Sequence, residues 1–316
     1  KYNLKRGDKV LVPAMTWVTN VAPIIQLGLK PIFCDVDTQN FSFDLEHMAE
    51  LHQIHPDIRV VFVTHLFGIP APIYEFKRII PNAFYIEDCC ESHGATYKGK
   101  KVGSMSDMSC FSFYFGHHMT TIEGGMVCTN DYETYQLARM FRSHGMTREA
   151  DQETHEKYSK PDVNPLFTFA VPGYNMRSTE INAVIGLEQI KRLDYNIQMR
   201  QKNLDIWLSA LDASKYYTDF FVEGSSNYAL PLILNKDNNN IKEVCKILEQ
   251  QGVEYRIGTA GGGNQARQPY LERYEFLVVG QLDKADYIHD FGLYIGNHPE
   301  LTEKQIIDLC RSLNNV

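Results

Sequence analysis

Apolar residues in the first half of the chain gather in short continuous runs, at 10–12, 31–34, 60–63, 84–86, 108–113 and 125–129, with longer mixed stretches between them. Runs of three to six residues without polar alternation predict strands buried on both faces. The intervening stretches have the length and period of crossover helices, so the pattern predicts an α/β layer around a mostly parallel sheet. In such sheets ligands bind beyond the carboxyl ends of the strands. That rule singles out Thr16 and Trp17 after the first run, Asp35 after the second, His65 after the third, Glu87 and Asp88 after the fourth, and 114–118 after the fifth.

The pattern changes near residue 178. A helical period runs through Ile181, Val184, Ile185, Leu187, Ile190, Leu193, Ile197, Leu204, Ile206 and Leu208, with Ser178 or Thr179 as cap and Glu180 in the first turn. One long helix over about 178–211 is predicted, linking a large domain (1–195) to a small one (196–316). The small part reads as strand 228–234, helix 240–251, strand 253–257, a Gly-rich polar loop at 258–265, strand 291–296 and helix 302–313, an α+β arrangement. Residues 238–240, all Asn, read as a solvated loop.

Charge and cysteine content narrow the chemistry. With 31 Lys+Arg against 39 Asp+Glu the net charge is -8, which argues against a nucleic-acid binder that works by neutralising phosphates. No apolar run reaches the ~18 residues of a membrane span. The seven cysteines are odd in number and include no CxxC; there is no HExxH either, so neither a metal nor an iron–sulfur site is predicted and any cofactor is organic. Cys34, Cys89, Cys110 and Cys128 lie in apolar or small-residue contexts that predict buried thiols and a reducing, cytoplasmic setting.

Two strings carry candidate chemistry. Glu87-Asp88 is followed by Cys-Cys-Glu91-Ser-His-Gly, and one crossover later comes Phe-Ser112-Phe-Tyr-Phe-Gly-His117-His118-Met-Thr-Thr-Ile-Glu123-Gly-Gly125. Taken singly, an Asp at a strand end can cap a loop and a His beside a His can be a core residue. Taken together, the strings resemble the sugar-nucleotide aminotransferase family of DegT type, which uses pyridoxal 5'-phosphate (PLP) on an aspartate-aminotransferase-like, fold type I scaffold. In that family a Lys stands five residues after the Ser and six before an acidic residue and Gly-Gly. Here Ser112 plus five is His117, and His117 plus six is Glu123. The strings Arg142-Ser-His144-Gly, Gly173-Tyr-Asn175-Met-Arg177-Ser-Thr-Glu180 and the 258–265 loop extend the likeness over essentially the whole chain.

The resemblance implies a PLP-binding large domain and a dehydratase branch of the family. There the substrate is a GDP-4-keto-6-deoxyhexose that loses its C3 hydroxyl, and glutamate regenerates pyridoxamine 5'-phosphate (PMP). His117 in place of Lys cannot hold the cofactor covalently, yet remains a competent general base. The resemblance further assigns Asp88 to the pyridine nitrogen, Glu91 to the cofactor 3-hydroxyl, Ser112 to its phosphate and Trp17 to the ring face. Asn175 would reach the phosphate of a second copy, implying a homodimer. His144, Arg148 and Arg177 would contact the sugar and diphosphate, Arg because its planar fork suits phosphate oxygens. Relatives also carry an upstream segment with a Gly-Ser pair at a helix N-terminus for the phosphate. Three alternatives stand beside this reading: a CDP-sugar 3-dehydrase, which needs a four-Cys iron–sulfur cluster not matched here; an ordinary sugar aminotransferase, which needs the Lys; and a non-catalytic sugar-nucleotide-binding remnant.

Overall fold

The structure, a computed structural model, describes residues 2–237, 240–258 and 262–316; residues 238 and 239 of the Asn loop and 259–261 of the Gly-rich loop lie outside the described residues. In chain order the strands are β1 (Lys9–Pro13), β2 (Lys30–Cys34), β3 (Ile58–Thr64), β4 (Phe84–Asp88), β5 (Thr96–Tyr97), β6 (Lys100–Lys101), β7 (Met108–Ser112), β8 (Gly125–Cys128), β9 (Ala229–Ile233), β10 (Tyr255–Ile257), β11 (Leu277–Val278) and β12 (Gly292–Gly296). All six apolar runs of the first half are strands of one seven-stranded sheet, in the order β11-β2-β1-β3-β4-β7-β8. Every neighbouring pair is parallel except β7 with β8. The central strands are covered on both faces, with Leu11, Val12, Phe33, Val61 and Val63 fully buried, which is why they read as runs rather than as alternation.

Register aligns the carboxyl ends. Thr64 of β3 pairs with Asp88 of β4, and Asp88 with Cys110 of β7, so the end of β7 at Ser112 extends just past that row. A separate antiparallel sheet, β10-β12-β9, packs Leu230, Leu232 and Leu293 against Trp207 and the C-terminal helix Glu303–Leu313, whose Ile306, Leu309 and Leu313 are buried.

Three features depart from the sequence reading. The helix expected over 178–211 is two: Glu180–Ile190, capped by Thr179 in a reciprocal box with Asn182, and Leu193–Ala210. Lys191 and Arg192 keep near-helical dihedrals, and the Arg192 N–H reaches back to the Gln189 carbonyl at 3.2 Å, so the apolar period runs across the break. The two segments have different surroundings, however. The second buries Ile197, Leu204 and Trp207, whereas the first leaves Ile181, Val184, Leu187 and Ile190 exposed. Cys110 and Cys128 are half-buried rather than buried, because they sit near the antiparallel edge, while Cys310 is buried; all seven thiols are free. Finally, β11 was not expected: the segment after residue 196 supplies an edge strand to the large sheet, pairing Leu277 and Val278 with Ile32 and Phe33. The helix that follows it, Asp283–Phe291, has its first N–H groups capped from β2's end, since Asp35 accepts from Lys284 N at 3.0 Å and Ala285 N at 2.8 Å. Asp35, a suspect by its strand-end position, is therefore a structural cap.

Candidate active site

The loop after β3 sets the floor. Phe67 has a left-handed backbone (φ 56°), unusual for a bulky residue, and its N–H donates to Glu91 Oε2 at 2.8 Å. Its carbonyl accepts the Tyr228 N–H at 2.7 Å, and the Gly68 carbonyl accepts that of Ser226 at 2.9 Å. Gly68 (φ 82°) has to be glycine, since a Cβ there would lie 2.7 Å from the Asn227 nitrogen. The 225–228 segment is thereby docked against the ends of β3 and β4. From there it holds the histidine loop: the Ser226 carbonyl accepts from His118 Nε2 at 3.0 Å, and the Tyr228 ring meets the His117 ring edge-on at 5.5 Å. Tyr114 flanks His117 on another side, also at 5.5 Å.

His117 and His118 differ accordingly. His118 is buried, donates Nε2–H to a carbonyl, and burial holds its imidazole neutral, well below the ordinary value. It fixes the loop. His117 is half-buried, and its Nδ1 is shielded from solvent without a hydrogen bond of normal length. Burial pulls its imidazole below the usual value, against the Asp88 charge and the Ser112 backbone, which pull the other way. A neutral ring with an unspent nitrogen can take up a proton.

Asp88 ends β4, 6% exposed. Its Oδ1 accepts the Cys90 N–H at 3.0 Å and its Oδ2 accepts from Asn20 Nδ2 at 2.8 Å. The Cys110 thiol adds a weak contact to Oδ1 at 3.9 Å; none of the three donors is a cation, so the carboxylate keeps acceptor capacity for a charged partner. Three residues on, burial pushes the Glu91 carboxyl up to about 8, with the nearby Asp88 charge adding to the effect despite the Phe67 N–H. Ser112, at the end of β7, accepts the Tyr114 N–H at 3.2 Å. Trp17 is about half exposed at the start of the turn after β1. An acceptor for a protonated ring nitrogen, a neutral carboxyl, a hydroxyl and a base with a free nitrogen are the donor and acceptor set a pyridine-type cofactor needs, and all four stand at the ends of β4 and β7.

The remaining expected residues lie elsewhere. His144 (φ 62°), Arg148, Asn175 and Arg177 are exposed, and Ser143 bridges to Asn175. Arg177 Nε donates to Asn175 Oδ1 at 3.3 Å, and Arg148 lies over the Phe167 ring with Nη1 3.3 Å from the Leu166 carbonyl. Among the described residues no hydrogen bond or ion pair joins these four to Asp88 or His117. Sequence reasoning also missed Asn20, Tyr228 and His93, the last a buried ring beside Phe111 and His118 that burial and His117 pull down to about 4.

Two groups have metal-ligand composition, His65/Glu87/Cys89 and Asp88/Cys90/Cys110. In the first, His65 spends Nε2 on Glu87 at 3.0 Å and Nδ1 on the Ala71 N–H at 2.9 Å. In the second, a hydrogen bond with Cys110 and burial push the Cys90 thiol up, away from the thiolate a metal requires.

Comparison with known proteins identifies the family and the fold. Residues 1–314 match the DegT/DnrJ/EryC1/StrS aminotransferase family. The chain is 34% identical over its whole length, and over 79% of the relative, to a GDP-4-keto-6-deoxy-D-mannose 3-dehydratase of Yersinia pseudotuberculosis. An Escherichia coli enzyme of that name, solved with bound hydrated PLP, superposes with a TM-score of 0.90 at 31% identity, over 98% of this chain and 80% of that one. A GDP-4-keto-6-deoxymannose-3-dehydratase with a trapped PLP–glutamate geminal diamine gives 0.91 at 30% identity, over 98% and 81%. With the match spanning nearly every residue and the mostly parallel sheet shared, the chain belongs to the DegT/DnrJ/EryC1/StrS aminotransferase family and has the fold type I architecture of PLP enzymes.

Proposed function

We propose that the protein is a PLP/PMP-dependent lyase that removes the C3 hydroxyl of a GDP-4-keto-6-deoxyhexose, with glutamate restoring PMP. The observation that carries this reading is His117, an imidazole with an unspent nitrogen at the position of the family's lysine, held by Tyr114 and Tyr228 within the field of Asp88. An ordinary aminotransferase needs an amine there.

When bound, the cofactor would supply an electron sink through which loss of a proton from its own methylene group expels the sugar's C3 hydroxyl. In this reading Asp88 accepts from the protonated pyridine nitrogen. Glu91, neutral near pH 7, donates toward the 3-oxygen. Ser112 donates to the phosphate, and Trp17 covers the ring. His117 would remove that proton, and its lowered value keeps it in the accepting form at neutral pH.

The exposed set belongs to a second layer of the reading. Ile181, Val184, Leu187 and Ile190 on one helix, with Phe167, Phe169, Tyr174 and Met176 nearby in sequence, expose more large apolar side chains than a solvated surface tolerates; a second copy of the chain is their proposed cover. Asn175, on that surface, then completes the partner's phosphate site, while His144, Arg148 and Arg177 take the sugar and diphosphate. The free thiols suit a cytoplasmic setting.

His117→Lys tests the centre of the proposal. Incubation with PLP followed by borohydride is expected to give a stable mass increase at residue 117, which the unsubstituted protein lacks. If His117→Lys binds PLP without capturing it, His117 does not stand at the lysine position and the reading fails.

A further inference from the structure

Asp88 is held by a buried polar network that reaches back to the segments after β1 and at the end of β3. Thr16 ends the segment after β1, Thr64 ends β3 and Asp88 ends β4; all three are buried. Asn20, 2% exposed, closes the 3-10 turn that begins after Trp17. Its Nδ2 lies 2.8 Å from Asp88 Oδ2, 2.8 Å from Thr16 Oγ1 and 2.9 Å from Thr64 Oγ1, and the two hydroxyls are 2.7 Å apart. An amide nitrogen has two hydrogens. One goes to the carboxylate, and the hydroxyl pair shares the other.

We infer that Asn20 is a positioning residue: it fixes the plane of the Asp88 carboxylate against the cofactor's pyridine nitrogen, with Thr16 and Thr64 fixing the Asn20 amide. This rests on the proposed contact between Asp88 and that nitrogen. Three observations carry it. The Asn20 bond takes Oδ2 from one side while the Cys90 N–H takes Oδ1, so the carboxylate cannot rotate without breaking one of them. Of the anchoring hydroxyls, Thr64 ends β3 and Thr16 lies fully buried three residues beyond β1, so the alignment is tied to the rigid sheet at Thr64. The Asn20 N–H also bonds to the Trp17 carbonyl at 3.0 Å, so a single residue ties the turn bearing the ring-covering Trp17 to the carboxylate below the ring edge. Partners that orient a site's direct ligands commonly matter by about 10–100-fold.

The experiment uses the PMP-loaded protein with ring-¹⁵N-labelled cofactor, reading the nitrogen resonance beside kcat and KM. Asn20→Asp keeps the shape and replaces the donor by an acceptor. The ring resonance is expected to move toward the unprotonated position and kcat to fall roughly 10–100-fold, with KM for the sugar nucleotide within about twofold of the unsubstituted value. Asn20→Ser, too short to reach Oδ2, should move both readouts in the same direction by less, and carries the test if Asn20→Asp does not fold. An unmoved resonance and kcat, with only a lower melting temperature, would make Asn20 a structural residue and overturn the inference. Asp88→Asn separates the two levels: if it too leaves the resonance unmoved, the underlying placement of Asp88 is what fails.

Discussion

Glu87 and Asp88 end the same strand and, by the two-residue period of a strand, face opposite sides of the sheet. On its side Glu87 is fully buried and fully occupied: His65 Nε2 at 3.0 Å, Ser106 Oγ at 2.6 Å, Gly103 N at 2.8 Å and Met105 N at 3.1 Å all bond to it. Burial, the largest single influence, pushes its carboxyl up, but His65, Ser106 and Gly103 outweigh it and hold the group at about 2. Asp88 has two neutral N–H donors and a weak thiol contact from Cys110 at 3.9 Å, and capacity left over. A saturated carboxylate builds a fold, and an unsaturated one beside it can serve chemistry. Position at a strand end, which marked both residues alike, does not distinguish them; the count of donors does.

Removing the chemistry from one side only should have the largest effect. His117→Asn and Asp88→Asn are each expected to lower kcat on the order of 10²–10⁴-fold while leaving the melting temperature nearly unchanged, which steady-state kinetics and calorimetry check together. Equal losses of stability would place these groups with Glu87. The acid limb of kcat/KM in the unsubstituted enzyme is expected below pH 6.5, because burial lowers the His117 value, and to be absent from the residual activity of His117→Asn.

The converse change acts on the other side. Glu87→Gln replaces the buried carboxylate that His65 Nε2, Ser106 Oγ and two backbone N–H groups bond to, and should cost roughly 1.5–3 kcal/mol in denaturant unfolding, with kcat of the folded fraction retained. The sign of its pH dependence follows from a depressed folded value: the stabilisation is present above the unfolded value of 4.5 and is lost as pH falls toward about 2. The difference between the two proteins should therefore shrink on acidification through that window.

Glu91 sharpens the contrast, since its shift runs the opposite way. A carboxyl raised to about 8 binds a proton in the folded state that the unfolded chain has released, so stability falls as pH rises from 4.5 toward 8. Glu91→Gln should flatten that slope in pH-dependent melting. The smallest effect belongs to the exposed rim. Asn175→Ala should leave folding untouched and speed loss of cofactor on dialysis, and sedimentation of a cofactor-loaded, active monomer would remove Asn175 from the proposed site.

The fold was legible to the extent that burial leaves a pattern. Strands covered on both faces appear as apolar runs, and β1 to β4 were found within about two residues of their ends. β11 lies in the apolar run 276–279, of the kind that marked β1 to β4, but with Glu275 before it and no crossover-length helix between it and the Gly-rich loop the run did not read as part of the large sheet. The break at Lys191 was hidden because both break residues keep near-helical angles. Within the site, Asp88, Ser112 and His117 were readable from their spacing, whereas Asn20 lies 68 positions from the carboxylate it touches and follows Trp-Val-Thr with no pattern of its own. The difference between His117 and His118 was not in the sequence either: it depends on Ser226, more than a hundred positions away, offering its carbonyl to one ring and not the other.

The two-residue strand β11 also sets an order of events during synthesis. The edge of β2 and the apolar cluster around Val12, Phe33 and Val60 are finished only by residues made well after them, β11 and Leu271, Leu282, Ala285 and Ile288. A ribosome that has released the first 200 residues has thus made every other strand of the large sheet and still leaves an unpaired, apolar edge, the kind of surface that recruits another chain. The protein should therefore depend on chaperones or on fast completion of its C-terminal part, and truncations before residue 277 should aggregate rather than fold into a smaller sheet.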